Sequence, residues 1–417
     1  MRIAVVGTGI SGLLAAHLLH PEHEITVFEA NDYLGGHTNT IRVDTAEATY
    51  HVDTGFIVFN DRNYPGFEKL LAKLGVASQP TTMSFSVKGE PEDFEYNGNS
   101  LNGLFAQRAN LARPAFYRMI RDLLRFNREV TALVEQGDDD VSLGHFLETG
   151  RYGRDFIDRL IVPQASAVWS ADPAQMWAFP VRFLAQFFAN HGMLGLRGRP
   201  QWRTVVGGSR SYVEAIVAPF RERIRLATPV ESILRHPDHV ELTPRGAEPQ
   251  RFDEVVIATH SDQALALLAD ASEREHEVLG SIAYQHNEAV LHTDRSLLPR
   301  RRRAWAAWNY HLLPEPIGRT TVTYHMNTLQ RLSAEEEFCV TLNRTEAIDP
   351  AKIIRRISYA HPVYTPSGVA AQGEHASISG VNRTHFCGAY WGWGFHEDGV
   401  RSAERAVERL RAARVPA

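Results

Sequence analysis

The chain has 417 residues, of which 44% are hydrophobic and 22% charged, an ordinary composition for a globular protein. Its 44 basic and 49 acidic residues give a net charge of −5, which argues against affinity for nucleic acid through overall charge. The two cysteines, Cys339 and Cys387, form no C-x-x-C pair, so neither a disulfide framework nor a cysteine zinc site is expected. The length favours two domains, or one domain with an insertion.

The first thirty residues read as a complete βαβ unit. A β-branched run at residues 3–6 suits a buried parallel strand, residues 13–19 suit a helix, and residues 25–28 suit a second strand. Between the first strand and the helix, Gly7, Gly9 and Gly12 complete a G-x-G-x-x-G motif. We read Arg2 and the apolar residues after it as mature structure rather than a secretory signal, because no small-residue cleavage site follows.

Each residue of this motif has a distinct task in binding a dinucleotide. Gly7 makes the tight turn out of the strand, Gly9 lets the backbone approach a pyrophosphate, and Gly12 lets the helix pack closely on the sheet. Amides at the helix start then face the phosphates. Glu29 follows about twenty positions after Gly9, where a carboxylate can bond the ribose hydroxyls and disfavours a 2′-phosphate. The pattern predicts a dinucleotide site.

Two glycine-containing segments follow. Gly35 and Gly36, in NDYLGGHTNT, permit an unusual backbone path beside a cofactor, and His37 comes directly after them. Thr54 and Gly55, in YHVDTGFIVFN, lie between two strand-like runs. For Gly35 and Gly36, an ordinary turn is the alternative interpretation.

The middle of the chain is helical and aromatic. Residues 101–136 have an amphipathic helical pattern, and the three aspartates at 138–140 favour a solvated loop and helix cap over a metal site. Residues 156–196 are rich in Trp, Phe and Met, which could form a buried helical core or line an apolar substrate channel. Four consecutive arginines at 300–303 precede two tryptophans, a pattern that fits either a solvated loop or contact with an anionic membrane.

Later segments return to the first domain. Residues 225–234, RLATPVESIL, resemble a strand pair returning to the dinucleotide sheet, and residues 252–260 predict a buried parallel strand. Near the end, a strand, a glycine-rich aromatic loop and a last helix opening at Asp398 and Gly399 could hold the edge of a flavin ring. We therefore predict an α/β fold in which a Rossmann-like FAD-binding domain is assembled from residues 1–85, 201–271 and 376–417. An inserted α+β substrate domain is predicted from a mainly helical segment, residues 86–200, and a strand segment, residues 272–375.

These motifs resemble the flavin amine oxidase, protoporphyrinogen oxidase and phytoene desaturase superfamily. Longer stretches, among them LGGHTNT, VDTGFIVFNDRNYPGFEKLLAKLGV, RPQW and FCGAYWGWGFHEDG, are most similar to the N-terminal flavoprotein domain of plant cyclopropane-fatty-acid synthases and its stand-alone bacterial relatives. The resemblance covers nearly the whole chain.

The resemblance implies non-covalent FAD and assigns roles by position. The implied cofactor-binding residues are Gly7, Gly9, Ser11 and Gly12 at the pyrophosphate, Glu29 at the ribose, Gly36 and His37 along the phosphates and ribitol, Thr54 and Gly55 at the flavin, Val230 at the adenine, and Gly399 and Val400 with amides near the flavin pyrimidine edge. Trp391, Trp393 and His396 are candidates for a flavin-facing wall, with packing of the terminal loop as the alternative. No catalytic base is assigned, and the aromatic cage of amine oxidases is not clearly matched.

The resulting hypothesis is an FAD-dependent oxidoreductase, a desaturase or oxidase of a fatty-acyl or other apolar lipid that transfers hydride to flavin N5. An amine or isoprenoid oxidase of the same fold, and a non-catalytic flavin-bearing partner of a lipid methyltransferase, remain open alternatives. The cysteine usage predicts a cytoplasmic protein, with peripheral contact at the inner membrane face also open. No nucleic acid and no metal are expected.

Overall fold

The computed structural model describes residues 1–90, 92–136, 141–195 and 198–412. The aspartates at 138–140 lie outside the described residues. No helix in the described ranges is both long and apolar enough to span a membrane.

The strands fall into several sheets and are numbered along the chain. They are β1 (Arg2–Val6), β2 (Glu24–Phe28), β3 (Thr40–Asp44), β4 (Thr49–Asp53), β5 (Phe59–Asn60), β6 (Ser78–Pro80), β7 (Phe85–Gly89), β8 (Phe94–Asn97), β9 (Trp202–Val205), β10 (Ile224–Arg225), β11 (Val230–Arg235), β12 (Val240–Pro244), β13 (Gln250–Phe252), β14 (Glu254–Ile257), β15 (Ala283–His292), β16 (Trp308–Leu312), β17 (Val322–His325), β18 (Cys339–Leu342), β19 (Ile353–Val363) and β20 (Thr384–Phe386).

The helices are numbered in the same way. They are α1 (Ile10–Leu19), α2 (Pro65–Leu74), α3 (Leu101–Leu104), α4 (Pro114–Gln136), α5 (Leu143–Thr149), α6 (Arg154–Phe156), α7 (Val162–Trp169), α8 (Val181–Asn190), α9 (Arg210–Val217), α10 (Ser261–Leu267), α11 (Glu273–Gly280), α12 (Met326–Leu329), α13 (Pro366–Gln372), α14 (His375–Ile378) and α15 (His396–Ala412).

The first βαβ unit forms the centre of a five-stranded parallel sheet with the order β10-β2-β1-β14-β20. Ile3 and Val5 face α1 and α15 on one side, whereas Ala4 and Val6 face the three-stranded sheet β11-β12-β13 on the other. Because both faces are covered, the central strands are mostly apolar, as expected for buried parallel strands. The predicted βαβ unit and the parallel strand within residues 252–260 are therefore confirmed.

A second sheet has seven strands in the order β19-β15-β18-β17-β16-β7-β8. Its pairs are antiparallel except for β16 with β7, which run parallel. Helices from residues 114–190 pack over one face, around buried Val87 and Tyr310. This combination of antiparallel sheet and helices is an α+β arrangement.

The overall prediction of an α/β fold with a Rossmann-like domain and an α+β portion is confirmed. The parallel sheet takes its strands from residues 2–28, 224–257 and 384–386, and the seven-stranded sheet from residues 85–97 and 283–363. One detail differs: within residues 225–234, β10 ends in the parallel sheet but β11 pairs with β12 in the separate three-stranded sheet. The chain between them turns at Ala227, whose φ is 49°.

Candidate active site

A cavity of about 1830 Å³ begins at the carboxyl ends of β1 and β2 and extends between the two large sheets to the helices of residues 114–195. Ligands of open α/β sheets bind at this strand edge. A site for a single drug-sized ligand has about 300–1,000 Å³. The cavity therefore has room for a dinucleotide and for a second molecule.

The glycine motif leaves a cradle at the inner end of the cavity. A Cβ built on Gly9 would have no heavy atom within 4 Å, so the backbone there borders open space. Gly36 approaches it from the other loop, where a Cβ would lie 3.3 Å from the Gly9 Cα atom. Both residues line the cavity. The geometry fits a pyrophosphate held by amides at the start of α1.

The other glycines of the motif serve packing. Gly7 has φ 100°, and a Cβ on Gly12 would lie 2.0 Å from the Gly7 carbonyl oxygen. Gly12 does not line the cavity. Its missing side chain allows α1 to pack closely on β1, as the motif predicts.

Glu29 is buried at the end of β2 and holds the loops around the cradle. One carboxylate oxygen accepts hydrogen bonds from the Thr8 backbone N–H at 3.0 Å and from the Thr8 hydroxyl. The other accepts from the Asn31 backbone N–H and side-chain amide, each at 2.9 Å. A carboxylate has about four lone-pair sites. A ribose bound here would therefore have to replace the Asn31 amide or the Thr8 hydroxyl at the carboxylate.

Thr54, Gly55 and His37 meet where the two large sheets adjoin. The Thr54 hydroxyl donates to the Asn39 carbonyl at 2.8 Å and lies 2.9 Å from the Tyr359 hydroxyl. A Cβ on Gly55 would lie 2.2 Å from the His37 carbonyl oxygen, so only glycine allows this approach. The His37 ring stacks on Tyr359, with ring centroids 4.9 Å apart. All of these side chains line the cavity.

A group of histidines surrounds this junction. The rings of His260 and His361 lie 5.8 and 5.3 Å from the ring of His37. Burial, and then the neighbouring histidine, lowers the pKa of His37 to about 4, of His260 to about 4 and of His361 to about 3. These rings are therefore neutral at physiological pH. The Asn287 amide donates to His361 Nδ1 at 2.9 Å, which leaves the proton of neutral His361 on Nε2.

The terminal loop supplies two of the three predicted wall residues. Trp393 and His396 line the cavity, whereas Trp391 does not. Trp391 packs against His375, with ring centroids 4.5 Å apart, and belongs to the core beside the parallel sheet. The Trp393 indole N–H is buried and has no hydrogen-bond partner among the described residues.

His396 is a structural residue as well as a wall residue. Its Nε2 atom lies 2.9 Å from the Tyr212 hydroxyl and 3.1 Å from the Thr38 hydroxyl. Its ring stacks on Phe56, with centroids 3.4 Å apart. Burial lowers the pKa of His396 well below its usual value. The side chain therefore fixes the start of α15 against the loops of the cavity.

The last helix begins at His396, two residues earlier than the sequence suggested. The Gly399 N–H donates to the Phe395 carbonyl at 3.1 Å, and neither Gly399 nor Val400 lines the cavity. A Cβ on Gly399 would lie 2.7 Å from Ile10, while Val400 is buried in the core. The structure places Gly399 and Val400 where α15 crosses α1, so the first-turn amides available to a ligand belong to residues 396–398.

The outer part of the cavity is enclosed by α4, α7, α8 and the segment after α8. Its apolar wall residues are Leu123, Leu124, Ala132, Leu160, Val168 and Met193. Leu124 is 56% exposed, so the cavity opens to the surface along α4. Arg128, Glu135 and Arg199 are exposed residues of this mouth. The aromatic side chains of residues 156–195 take both predicted roles, since Phe179 is core and Trp169 and Phe187 also line the cavity.

The arginine cluster at 300–303 is not part of the cavity wall. Arg301 pairs with Asp93 at 2.8 Å and with buried Glu95 at 3.0 Å, which holds the turn against β8. The short helical turn Arg302–Ala304 packs against α3.

Of the predicted cofactor residues, the structure brings most to one cavity: Gly7, Gly9, Ser11, Glu29, Gly36, His37, Thr54, Gly55 and Val230. Sequence reasoning missed His260, Tyr359 and His361. His260 follows the carboxyl end of β14, a position that parallel strands bring to the ligand edge. Tyr359 and His361 are two residues apart on β19 and therefore share one face of the strand, but nothing in the local sequence indicates which face meets the cavity.

The sequence matches the family described as flavin containing amine oxidoreductase over residues 10–323. A Mycobacterium tuberculosis protein assigned as the flavin-containing monoamine oxidase AofH is 27% identical over 256 residues, which cover 58% of this chain and 53% of AofH. The chain thus spans about half the length of this curated relative.

Solved structures share the fold over nearly the whole chain. A putrescine oxidase variant is 15% identical with a TM-score of 0.71, and cyclohexylamine oxidase from Brevibacterium oxydans is 18% identical with a TM-score of 0.67; each comparison covers 99% of both chains. A fatty acid isomerase from P. acnes, which produces CLA, is 14% identical with a TM-score of 0.69 and covers 98% of both chains. The chain belongs to the flavin containing amine oxidoreductase family, and this membership supports the predicted FAD cofactor.

Proposed function

We propose that the protein uses FAD to oxidise or desaturate a substrate with a long apolar chain, such as a fatty-acyl lipid. The observation that carries this proposal is the single cavity that joins the Gly9 cradle to an apolar branch opening at Leu124. An acyl chain entering beside α4 would pass Leu160 and Val168 before it reaches the junction around His37.

The charges of the cavity also favour an apolar or anionic substrate over a cationic amine. Among the described residues, the carboxylates of its wall are Glu29, which four protein donors engage, and Glu135 at the mouth. The arginines at the mouth, Arg128 and Arg199, would attract a carboxylate or phosphate headgroup. A diamine would leave its second ammonium without a carboxylate partner in the apolar branch.

The residues of the chain would hold both molecules and exclude water. The glycine cradle and Glu29 would hold the FAD pyrophosphate and ribose, while Trp393 and His396 would enclose the ring. Bound FAD supplies a two-electron acceptor that takes hydride at N5. Trp169, Phe187 and Trp393 form an aromatic wall that keeps the reacting carbon out of bulk water, with Trp169 Nε1–H donating to the Trp393 carbonyl at 3.2 Å.

The neutral histidines offer a way to accept a proton near the junction. His361 cannot accept it, because its Nε2 carries the ring proton and its Nδ1 accepts from Asn287, whereas the rings of His37 and His260 lie 5.8 Å apart beside it. We propose His37 or His260 as the proton acceptor when the lost hydride leaves a proton behind.

Anaerobic mixing of the purified flavoprotein with separate panels of acyl lipids, amines and isoprenoids tests the proposal. We expect acyl lipids to bleach the flavin absorbance and to yield a product lighter by two hydrogens. Bleaching by amines or isoprenoids alone would instead support an amine or isoprenoid oxidase of the same fold. An absence of bleaching by all three panels, from a protein that retains FAD, would favour a flavin-bearing partner of a lipid methyltransferase.

A further inference from the structure

The most exposed apolar side chains of the described residues lie on one short segment. Leu101, Leu124 and Leu111 are 77%, 56% and 52% exposed, and Tyr117 is 47% exposed. A monomeric soluble protein usually avoids grouping such residues, and grouped ones mark interaction sites.

Contacts link Tyr117 to Leu111 and to Phe105, and helix spacing relates Tyr117 to Leu124. The Tyr117 hydroxyl donates to the Leu111 carbonyl at 3.0 Å, and the Tyr117 ring lies 6.0 Å from that of Phe105, in the turn that ends α3. Along α4, exposed Tyr117, Arg121 and Leu124 follow at steps of four and three residues, which places them on one stripe. Leu124 is about 10 Å from Tyr117 along the helix axis and belongs to the cavity mouth.

The same surface is basic. Exposed Arg108, Arg118 and Arg121 flank the apolar side chains. In the described part of the chain, Arg108 and Arg118 have no carboxylate within ion-pair distance, and Arg121 has only Asp122 at 3.9 Å. Asp122 is itself buried and accepts the Gly153 N–H at 3.0 Å. Arg118 and Arg121 are therefore available to an anionic ligand, whereas the Arg108 guanidinium also donates to the Phe105 carbonyl at 2.8 Å and to the Asn102 side-chain oxygen at 2.7 Å.

We propose that this α3–α4 face, formed by Leu101, Leu111, Tyr117, Leu124, Arg108, Arg118 and Arg121, docks on an anionic lipid bilayer and delivers acyl chains to the cavity mouth. The leucines and Tyr117 enter the headgroup region, and the arginines contact lipid phosphates. Continuity with the mouth at Leu124 favours a bilayer over a protein partner, because an acyl chain can pass from one apolar environment to the other. The inference rests on the proposed acyl substrate, but it concerns binding and not turnover.

Co-sedimentation of the FAD-loaded, full-length protein with phosphatidylglycerol-containing vesicles tests the docking surface. We expect wild type to bind these vesicles more tightly than pure phosphatidylcholine vesicles. Arg118→Gln/Arg121→Gln should weaken binding about 30-fold, since each basic residue near an anionic surface contributes roughly five-fold. Leu101→Ser/Leu111→Ser should weaken it about ten-fold or more.

Two matched controls lie on other surfaces. Arg355→Gln/Arg356→Gln removes the same charge from β19, at the opposite edge of the seven-stranded sheet from β8, and Val206→Ser/Leu226→Ser removes exposed apolar area from the FAD-binding side. These controls should bind like wild type. All variants change exposed residues, so flavin content and melting temperature should stay unchanged and identify any folding defect.

The salt concentration separates the electrostatic contribution to vesicle binding from the apolar one. Raising the salt to about 1 M, where the Debye length is about 3 Å, should remove most of the difference between wild type and Arg118→Gln/Arg121→Gln but not the leucine effect. Failure of wild type to bind either vesicle type, or equal losses in the control variants, would overturn the docking surface. Either result is separable from the proposed oxidation, which is read from flavin bleaching by detergent-dispersed lipid.

Discussion

Replacing Gly9 with valine should remove the flavin without harming the fold. Gly9 has φ −62° and ψ 174°, an extended conformation that valine accepts, and its Cβ would meet no atom within 4 Å. Replacement of glycine at a compatible position stabilises the apoprotein by about 0.4–1 kcal/mol, because the unfolded chain loses freedom. The side chain would instead occupy the space in which the pyrophosphate is predicted to lie.

The magnitude follows from the contacts that a pyrophosphate would lose. Hydrogen bonds to a charged group contribute roughly 1.5–3 kcal/mol each. Loss of two such bonds from the amides at the start of α1 corresponds to about a 10²- to 10⁴-fold weaker FAD affinity. Gly9→Ala should give a smaller loss, since its side chain fills less of the cradle.

Titration of apoprotein with FAD, followed by flavin fluorescence, measures this affinity, and thermal unfolding of the same apoprotein measures stability. Gly12→Val is the contrast: its Cβ would lie 2.0 Å from the Gly7 carbonyl oxygen, so it should unfold at lower temperature. An FAD affinity of Gly9→Val equal to wild type would show that the pyrophosphate does not use this cradle. A melting temperature of Gly9→Val as low as that of Gly12→Val would show that Gly9 is a packing residue.

Further predictions concern the ribose position, pH and the last helix. Glu29→Gln should fold and should bind FAD about ten-fold or more weakly, because one charge-assisted hydrogen bond is lost. Glu29→Ala should also lower the melting temperature, because the Thr8 and Asn31 donors lose their acceptor. Equal FAD affinity in wild type and Glu29→Gln would place the ribose elsewhere. Because burial lowers the pKa of His37, His260 and His361 below the unfolded value, their stabilising contribution is present above about pH 6.5 and is lost as pH falls towards 4. Each should cost about 1 kcal/mol between pH 7.5 and 5.5, so apoprotein unfolding by urea should show a shallower pH dependence in His260→Gln. An unchanged dependence would mean that His260 titrates normally. Removing the residues after Phe386 should abolish FAD binding, because α15 packs on α1 beside the cradle; a truncated chain that folds and retains FAD would refute this role.

The sequence predicted the site best where all the residues needed for one structural feature lie in one short segment. Gly7, Gly9, Gly12 and Glu29 lie within one βαβ unit, so their spacing was enough to predict the cradle and the packing of α1. Trp391 and Gly399 could not be placed in this way. Their environment depends on the exact start of α15 and on which side of the terminal loop faces the parallel sheet.

The rest of the cavity comes from distant segments whose meeting is a tertiary property. His37, His260 and His361 lie on three separate loops and strands, and each looks ordinary in its own sequence context. The helical pattern of α4 was clear, yet its period could not show that the stripe containing Leu124 leads into the cavity. The arginines at 300–303 were conspicuous in the sequence, but Arg301 is held by Asp93 and Glu95, which precede it by more than two hundred residues.

The FAD cradle and the apolar branch are proposed to form one continuous site. Titration of the FAD-loaded protein with a saturated fatty acid, followed by the visible spectrum of the oxidised flavin, tests it without requiring turnover. We predict a saturable spectral shift in wild type and in the surface control Ala351→Trp, and its loss in Ala132→Trp, whose indole would fill the mouth beside α4. No shift in wild type, or the same shift in Ala132→Trp, would show that the cradle and the apolar branch are separate.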